Sequence, residues 1–187
     1  MLLFIQSKDF LRSDPMRTIQ IVPWKSEWRD YFLHEQKLLE LETGEAENNI
    51  FHIGSTSVPG LAAKPIIDIL IETSDLSWWI MDRLEGLGYT GKGEHGIAGR
   101  AFYYKGKQVR RFHVHVFEKK SDGSGRHLAL RDYLRSFPTK AKEYECIKKQ
   151  AAAQYPHSPS EYMNEKQIVV QKLEQEALCW KRAEEEN

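Results

Sequence analysis

A loop rich in glycine and hydroxyl groups, joined to a strand that carries one carboxylate, is the strongest chemical signal in this chain. His52-Ile53-Gly54-Ser55-Thr56-Ser57 leads through Pro59-Gly60 and Lys64-Pro65 into Ile66-Ile67-Asp68-Ile69-Leu70-Ile71. Glycine lets backbone N–H groups approach an anion closely, and hydroxyls add donors, so Gly54, Ser55, Thr56 and Ser57 are candidate phosphate ligands. Lys64 can meet the same phosphate or stand as a solvated loop charge. Asp68 lies in an otherwise apolar run, where an unpartnered carboxylate is costly. Both features also have plain structural readings: a turn whose hydroxyls satisfy their own backbone, and a buried carboxylate that accepts loop N–H bonds.

A second constellation is Arg111-Phe112-His113-Val114-His115-Val116-Phe117. Strict alternation puts His113 and His115 on one face of a strand and the valines on the other. Their Cα atoms should lie roughly 6.6–7 Å apart, close enough for both imidazoles to reach one anion or metal, or to transfer protons. Neutral imidazoles suit zinc better than magnesium. His52 is a possible third member, and a hydrogen-bonded sheet face that happens to carry two histidines is the alternative. In Glu94-His95-Gly96-Ile97-Ala98-Gly99-Arg100, Arg100 can fork onto a phosphate and Glu94 can act as ligand or base; a flexible hairpin-entry loop is the competing reading. Arg131 and Arg135, four residues apart, form either a cationic wall or solvent-exposed ion pairs, with the second favoured.

These residues need a scaffold, and the hydropathy pattern predicts one. Ile19 to Val22 reads as a short extended arm, followed by a helix over about Ser26–Leu41 with Trp28, Phe32 and Leu39 near helical spacing; Thr43-Gly44 ends it. Ile50–Ile53 and Pro65–Ile71 read as strands flanking the loop, the second apolar enough to be central. Ser74 to Gly88 predicts a helix, and Trp78-Trp79 within it must put at least one ring on the core face. Tyr89 to Arg100 reads as a glycine-rich loop, Ala101–Tyr104 and Val109–Phe117 as a hairpin, and Ser121-Asp122-Gly123-Ser124-Gly125 as another loop. Three helices follow, over about Arg126–Ser136, Thr139–Ala153 and Ser158–Trp180. Ser158-Pro159-Ser160-Glu161 supplies an N-cap signature, and Tyr162, Val169, Leu173, Ala177 and Trp180 make one apolar stripe.

The chain has 187 residues with 27 basic against 27 acidic side chains, enough for a sizeable core and with no bulk charge for gripping nucleic acid or a membrane. Its cysteines, Cys146 and Cys179, lie far apart in sequence, which fits a reduced cytoplasmic protein. The apolar start is too short to span a bilayer. Residues 1–16 are expected to be a poorly ordered leader, 17–181 a single domain and 182–187 an acidic tail.

The spacing of Gly54-Ser55, twelve residues and then Asp68 resembles the nucleotidyltransferase superfamily signature. That resemblance implies a loop holding triphosphate and a strand offering two carboxylates, one residue apart, to divalent metal. Here the second position is Leu70, and Glu72 lies a further residue pair, roughly 6.6 Å, along the strand. A two-metal centre needs more oxygen ligands than Asp68 alone provides. Val22-Pro23-Trp24, the His52 to Ile71 block, Gly96-Ile97-Ala98-Gly99-Arg100, His113-Val114-His115-Val116, Arg131 to Arg135 and Tyr162 to Lys166 together resemble the GrpB family over about residues 17–180. The resemblance implies an α/β (α+β) nucleotidyltransferase-like fold, a small mixed sheet with packed helices and a helical C-terminal part. It carries Gly54, Ser55, Asp68, His113 and His115 over as site residues. The expected ligand is a nucleotide or other phosphorylated small molecule, with magnesium, manganese or zinc as the cation. A protein-interaction or folding-assisting module that kept the fold and lost the chemistry is the alternative.

Overall fold

The computed structural model describes residues 18–76, 84–106 and 110–186, so Trp78-Trp79 and most of the helix expected after Ser74 lie outside the described residues. Helix α1 spans Glu27–Thr43, followed by strands β1 (Ile50–Ile53), β2 (Ile67–Thr73), β3 (Tyr89–Gly91), β4 (Arg100–Lys105) and β5 (Phe112–Glu118). Helices α2 (Asp122–Ser136), α3 (Pro138–Gln154) and α4 (Pro159–Glu185) complete the order. The expected mixed α/β architecture is the one observed.

The strands form one sheet in the order β1-β2-β5-β4-β3. β2 and β5 pair in parallel, and the other pairs are antiparallel. β2 turns Ile67, Ile69 and Ile71 to one face and Asp68, Leu70 and Glu72 to the other. On one face Ile67, Ile69, Ile71, Val114, Val116 and Tyr103 pack against Trp28, Phe32 and Leu39 of α1. Each buried Ile or Val there contributes about 1.5–3 kcal/mol. Gly44, at φ 73°, stops α1 by turning its N–H back to Glu40 O, a conformation that suits a residue without Cβ. Glu35, buried on this side, accepts from Tyr89 Oη at 2.9 Å and Lys105 Nζ at 2.8 Å, which ties α1 to the far edge of the sheet. An unpaired carboxylate at that depth would cost more than the pair returns, so both donors are needed.

The other face carries a smaller apolar cluster of Ile53, Leu70 and Phe117, with Phe51, Ile97 and Leu128 against it. Beyond it, α2, α3 and α4 bury Ala129, Tyr133, Leu134, Ala141, Tyr144, Leu173 and Ala177, and Val58 and Leu61 of the loop enter the same core. The helical C-terminal part therefore packs directly on the loop at Gly54–Leu61. The apolar stripe expected on α4 is in place, with Leu173 and Ala177 buried and Val169 and Trp180 packed beside them.

Four boundaries differ from the sequence reading. Tyr89–Gly91, expected as loop, forms edge strand β3 against β4, where pairing satisfies backbone that a glycine-rich composition does not predict. The Ser121–Gly125 stretch is not a loop: Ser121 Oγ accepts from Ser124 N and caps α2. Gly123 belongs to that first turn because it presses on the Phe117 ring, where an added Cβ would lie 2.7 Å from Cδ1. Ser158 precedes α4, but its hydroxyl makes no cap bond and faces Ser160 Oγ at 3.4 Å instead. The residues expected to form an acidic tail continue α4 as far as Glu185.

Candidate functional site

The parallel register of β2 and β5 sets Asp68 beside His113 and Leu70 beside His115. Asp68 Oδ1 accepts from His113 Nδ1 at 3.0 Å and lies 3.8 Å from His115 Nε2. Gly54 closes on this carboxylate from the loop: a Cβ there would fall 3.0 Å from Asp68 Cβ and Cγ and nearer still to Oδ2. Its backbone, at φ 69° and ψ −174°, is a conformation open to little besides glycine. Loop and strand thus meet at the sequence positions expected, and one atom of Asp68 touches each part.

Arg100 takes a different place from the one expected. Its guanidinium is buried, donating to Glu94 O at 3.0 and 3.2 Å, to His95 O at 2.7 Å and to His115 Nδ1 at 3.3 Å. It clamps the glycine-rich turn rather than reaching toward a free anion, and Glu94 Oε1 is likewise engaged, by Gly99 N. Because arginine only donates, His115 Nδ1 must accept, and the neutral ring carries its proton on Nε2, on the Asp68 side. His113 has the opposite pattern, with Nδ1–H directed to Asp68 and Nε2 left bare. Both Nε2 atoms are buried without a hydrogen-bond partner.

The electrostatics follow from this wiring. Burial pushes the Asp68 carboxyl up, but the hydrogen bond from His113 and the nearness of His115 outweigh it and hold the group well below the usual carboxylate range. Burial lowers His115 below its ordinary value against the pull of Asp68. Phe102 meets both imidazoles edge-on at 5.2 Å and His95 stacks on its other side at 4.9 Å. His127 of α2 lies 5.4 Å from His115 and donates from Nδ1 to Gly123 O at 2.7 Å; burial lowers its pKa to about 4.

Asp68, His113 and His115 offer ligand atoms that all lie within 4.8 Å of one another, a grouping that fits a cation accepting nitrogen donors. Two unsatisfied imidazole nitrogens support that fit. Ligation by His115 Nε2 would move its proton to Nδ1, against the Arg100 guanidinium, so Asp68 and His113 are the stronger pair. Glu72 does not join them: its Oε1 accepts from Ser124 Oγ and from Lys120 N, fastening α2 to β2. His52 does not join them either. It sits on the opposite face, stacked on Phe32 at 4.8 Å, with Nε2 3.1 Å from Thr56 Oγ1.

The loop hydroxyls divide. Thr56 Oγ1 donates to Ile66 O at 3.1 Å and Ser57 Oγ to Gly54 O at 2.7 Å, so both buried side chains hold the loop's own shape. Trp24 Nε1 holds Thr56 O at 3.1 Å, and Arg135 donates from Nε and Nη2 to Ser57 O at 3.0 and 2.8 Å, while Arg131 and Arg135 also make the expected pairing with Asp132 Oδ1, at 2.8 and 4.0 Å. Ser55 Oγ turns instead to α3, accepting from the buried Lys148 Nζ at 3.0 Å. Lys64 lies over the Tyr162 ring at 3.8 Å. Lys148, with Tyr144, Tyr162 and Lys166 around it, escaped the sequence reading. Its signal is a Tyr-x-x-x-Lys spacing that occurs twice within the C-terminal helices, at Tyr144/Lys148 and Tyr162/Lys166, each pair on one helical face.

The family model described as GrpB protein matches residues 18–176. The chain belongs to the GrpB family. It is 42% identical over 170 residues to UPF0157 protein YqkA of Bacillus subtilis (strain 168), covering 90% of this chain and 50% of YqkA, so it spans about half the length of that relative. Glutamate-rich protein GrpB of Alkalihalophilus pseudofirmus is 34% identical over 160 residues, 82% of this chain and 92% of that one. The crystal structure of GrpB from Enterococcus faecalis superposes with a TM-score of 0.77 at 38% identity, covering 85% of this chain and 97% of the other. The GrpB fold is therefore shared over 85% of this chain.

Proposed function

We propose that this GrpB domain binds a nucleotide or another phosphorylated small molecule at the Gly54 loop, together with a divalent cation at Asp68 and His113. The observation that carries the reading is the approach of Gly54 to Asp68, so close that no side chain fits between them, which brings the loop backbone and Ser55 to a carboxylate already bonded to an imidazole. The Ser55 hydroxyl and the adjoining backbone would hold phosphate, and Asp68 with His113, and more weakly His115, would hold magnesium, manganese or zinc. Such an ion would neutralise phosphate charge and polarise a phosphoryl oxygen. His113 Nε2, if free of metal, is a base held in one orientation by Asp68. The reading places the protein in the cytoplasm, where exposed Cys146 and Cys179 stay reduced. Among the described residues no helix is long and apolar enough to cross a membrane.

The test is the thermal midpoint against a panel of nucleotides and coenzyme A precursors with each of the three cations. Ligand at 100 times its dissociation constant stabilises by about 2.7 kcal/mol, a rise of several degrees for a domain this size. The rise should vanish in Asp68→Ala and shrink in Ser55→Ala; an unchanged rise in both removes this pocket from the account. Leu70, fully buried where a second carboxylate would stand, favours a second reading, a protein-interaction or folding-assisting module without chemistry. That module expects no nucleotide in the panel to move the midpoint.

A further inference from the structure

A cavity of about 510 Å³ lies where residues 59–61 of the loop meet the end of α2 and the start of α3. That volume falls in the range of small-molecule sites and far exceeds what one water needs. Pro138, Ala141, Lys142 and Glu145 follow helical spacing, so α3 turns one face to the space. The floor is apolar, formed by the buried side chains of Leu61, Leu134 and Ala141. The exposed mouth carries two cations, Arg135 and Lys142. Gly60 borders the same space, and a Cβ added to it would meet nothing within 4 Å.

Each carboxylate beside the mouth is outnumbered by cations. Asp132 Oδ1 lies 2.8 Å from Arg131 Nε and 4.0 Å from Arg135 Nη1, and Glu145 Oε1 accepts from Lys142 Nζ and Lys149 Nζ at 2.8 Å each. Two cations to one carboxylate leave a positive charge in both groups. Glu145 asks nothing of a ligand, because its Oε2 also accepts from Ala62 N at 2.9 Å. Lys142 has 69% of its side chain exposed, and Lys149 with Ala62 N still holds Glu145 when Lys142 turns to another anion. Arg135 spends its Nε–Nη2 edge on Ser57 O. Its Nη1 makes no hydrogen bond among the described residues, so the Nη1–Nη2 edge still offers two parallel N–H donors. That fork matches a planar carboxylate.

We infer that this cavity binds a small organic acid, one carboxylate on a short apolar body. Arg135 and Lys142 take the carboxylate at the mouth, and the body packs on Leu61, Leu134 and Ala141. A cationic mouth over an apolar floor selects for both halves of such a molecule: a bare anion leaves the floor unfilled, and an amine meets two like charges. The site goes beyond the nucleotide reading and does not depend on it, since it shares no residue with Asp68, His113 or Ser55 and needs no metal ion.

NMR titration of the intact chain with sodium hexanoate, sodium acetate and hexylammonium chloride at constant ionic strength tests it. Hexanoate should saturate, moving the methyl resonances of Leu61 and Leu134 and leaving those of Leu39, on the α1 side of the sheet, in place. Acetate, which lacks the apolar body, should bind at least roughly tenfold more weakly, and hexylammonium should not displace hexanoate. Lys142→Met changes an exposed side chain and should weaken hexanoate roughly threefold or more, and Arg135→Gln more still if its circular dichroism is native. Lys166→Met, on α4, should bind as wild type does. Absence of saturation, equal binding of hexanoate and hexylammonium, or wild-type affinity in Lys142→Met overturns the site. Loss of affinity in Lys166→Met also overturns it, by putting the acid among other lysines.

Discussion

Gly54→Ala tests the junction on which the site depends, and its effect can be worked from two separate costs. The first is conformational: at φ 69° and ψ −174° a residue with a Cβ pays about 1–3 kcal/mol. The second is steric, since the new methyl meets Asp68 Cβ and Cγ at 3.0 Å with Oδ2 nearer, and overpacking of that kind costs about 1–3 kcal/mol. Their sum is about 2–6 kcal/mol, and each kcal/mol moves the midpoint of a chain this long by roughly 2–4 °C. Gly60→Ala is the matched control, because Gly60 also has positive φ, 79°, but nothing lies within 4 Å of its added Cβ. It should show only a backbone cost of about 1–2 kcal/mol. Asp68→Ala removes Oδ2 and Cγ, so in the double mutant part of the Gly54→Ala penalty should return, with a coupling of about 0.5–3 kcal/mol. Urea denaturation followed by circular dichroism measures all four. If Gly54→Ala costs no more than Gly60→Ala, or if Asp68→Ala relieves none of it, loop and carboxylate are not in contact as described and the site loses its central premise.

Arg100→Gln should raise zinc affinity several-fold, because a glutamine carbonyl can accept from His115 Nδ1–H and so free Nε2 for the metal; competition with a chromogenic chelator reads this, and weaker zinc binding would contradict the tautomer assigned to His115. Acid should weaken the fold between pH 6.5 and 4: burial lowers His52 to about 4, so across that window the unfolded chain binds the extra proton and stability drops as pH falls. The loss from His52 is on the order of 3 kcal/mol, and His52→Phe should show a shallower decline by urea denaturation at stepped pH; parallel curves for the two proteins would refute it.

Much of the frame was legible because it follows from periodicity. The alternation around His113 and His115 fixed their common face, the near-continuous apolar run at Ile67–Ile71 marked a central strand, and Trp28, Phe32 and Leu39 marked the buried face of α1. The sequence could also say that Gly54 and Asp68 belong together, through a familiar spacing. It misread positions where a residue answers to a distant neighbour. Arg100 looked like a phosphate fork because its real acceptors, Glu94 O and His95 O, are backbone atoms that any sequence supplies. His52 could be read either as a third ligand or as a structural histidine, and strand pairing decides for the second by putting it on the α1 side, opposite Ile69 in register. Gly123 reads as loop composition, yet the Phe117 ring requires it. Lys148 and Lys166 lie 93 and 111 residues beyond Ser55, on helices whose separate patterns predict packing but not which lysines will meet.

The parallel pairing of β2 with β5 also bears on how the protein comes together. Asp68 and His113 are 45 residues apart, and β5, which keeps β4 on one edge, must bring its other edge alongside β2 before the two can sit side by side. Pairings of that span assemble slowly, since the intervening chain loses its freedom before the contact returns anything. Local pieces such as α1 or the hairpin can form early, but no fragment that ends before Phe112 contains the carboxylate–imidazole contact. The bond between Asp68 and His113 is therefore a reporter of completed folding: a partly folded chain would keep much of its helix while holding no site at all, and one truncated before Phe112 would lose α2, α3 and α4 as well.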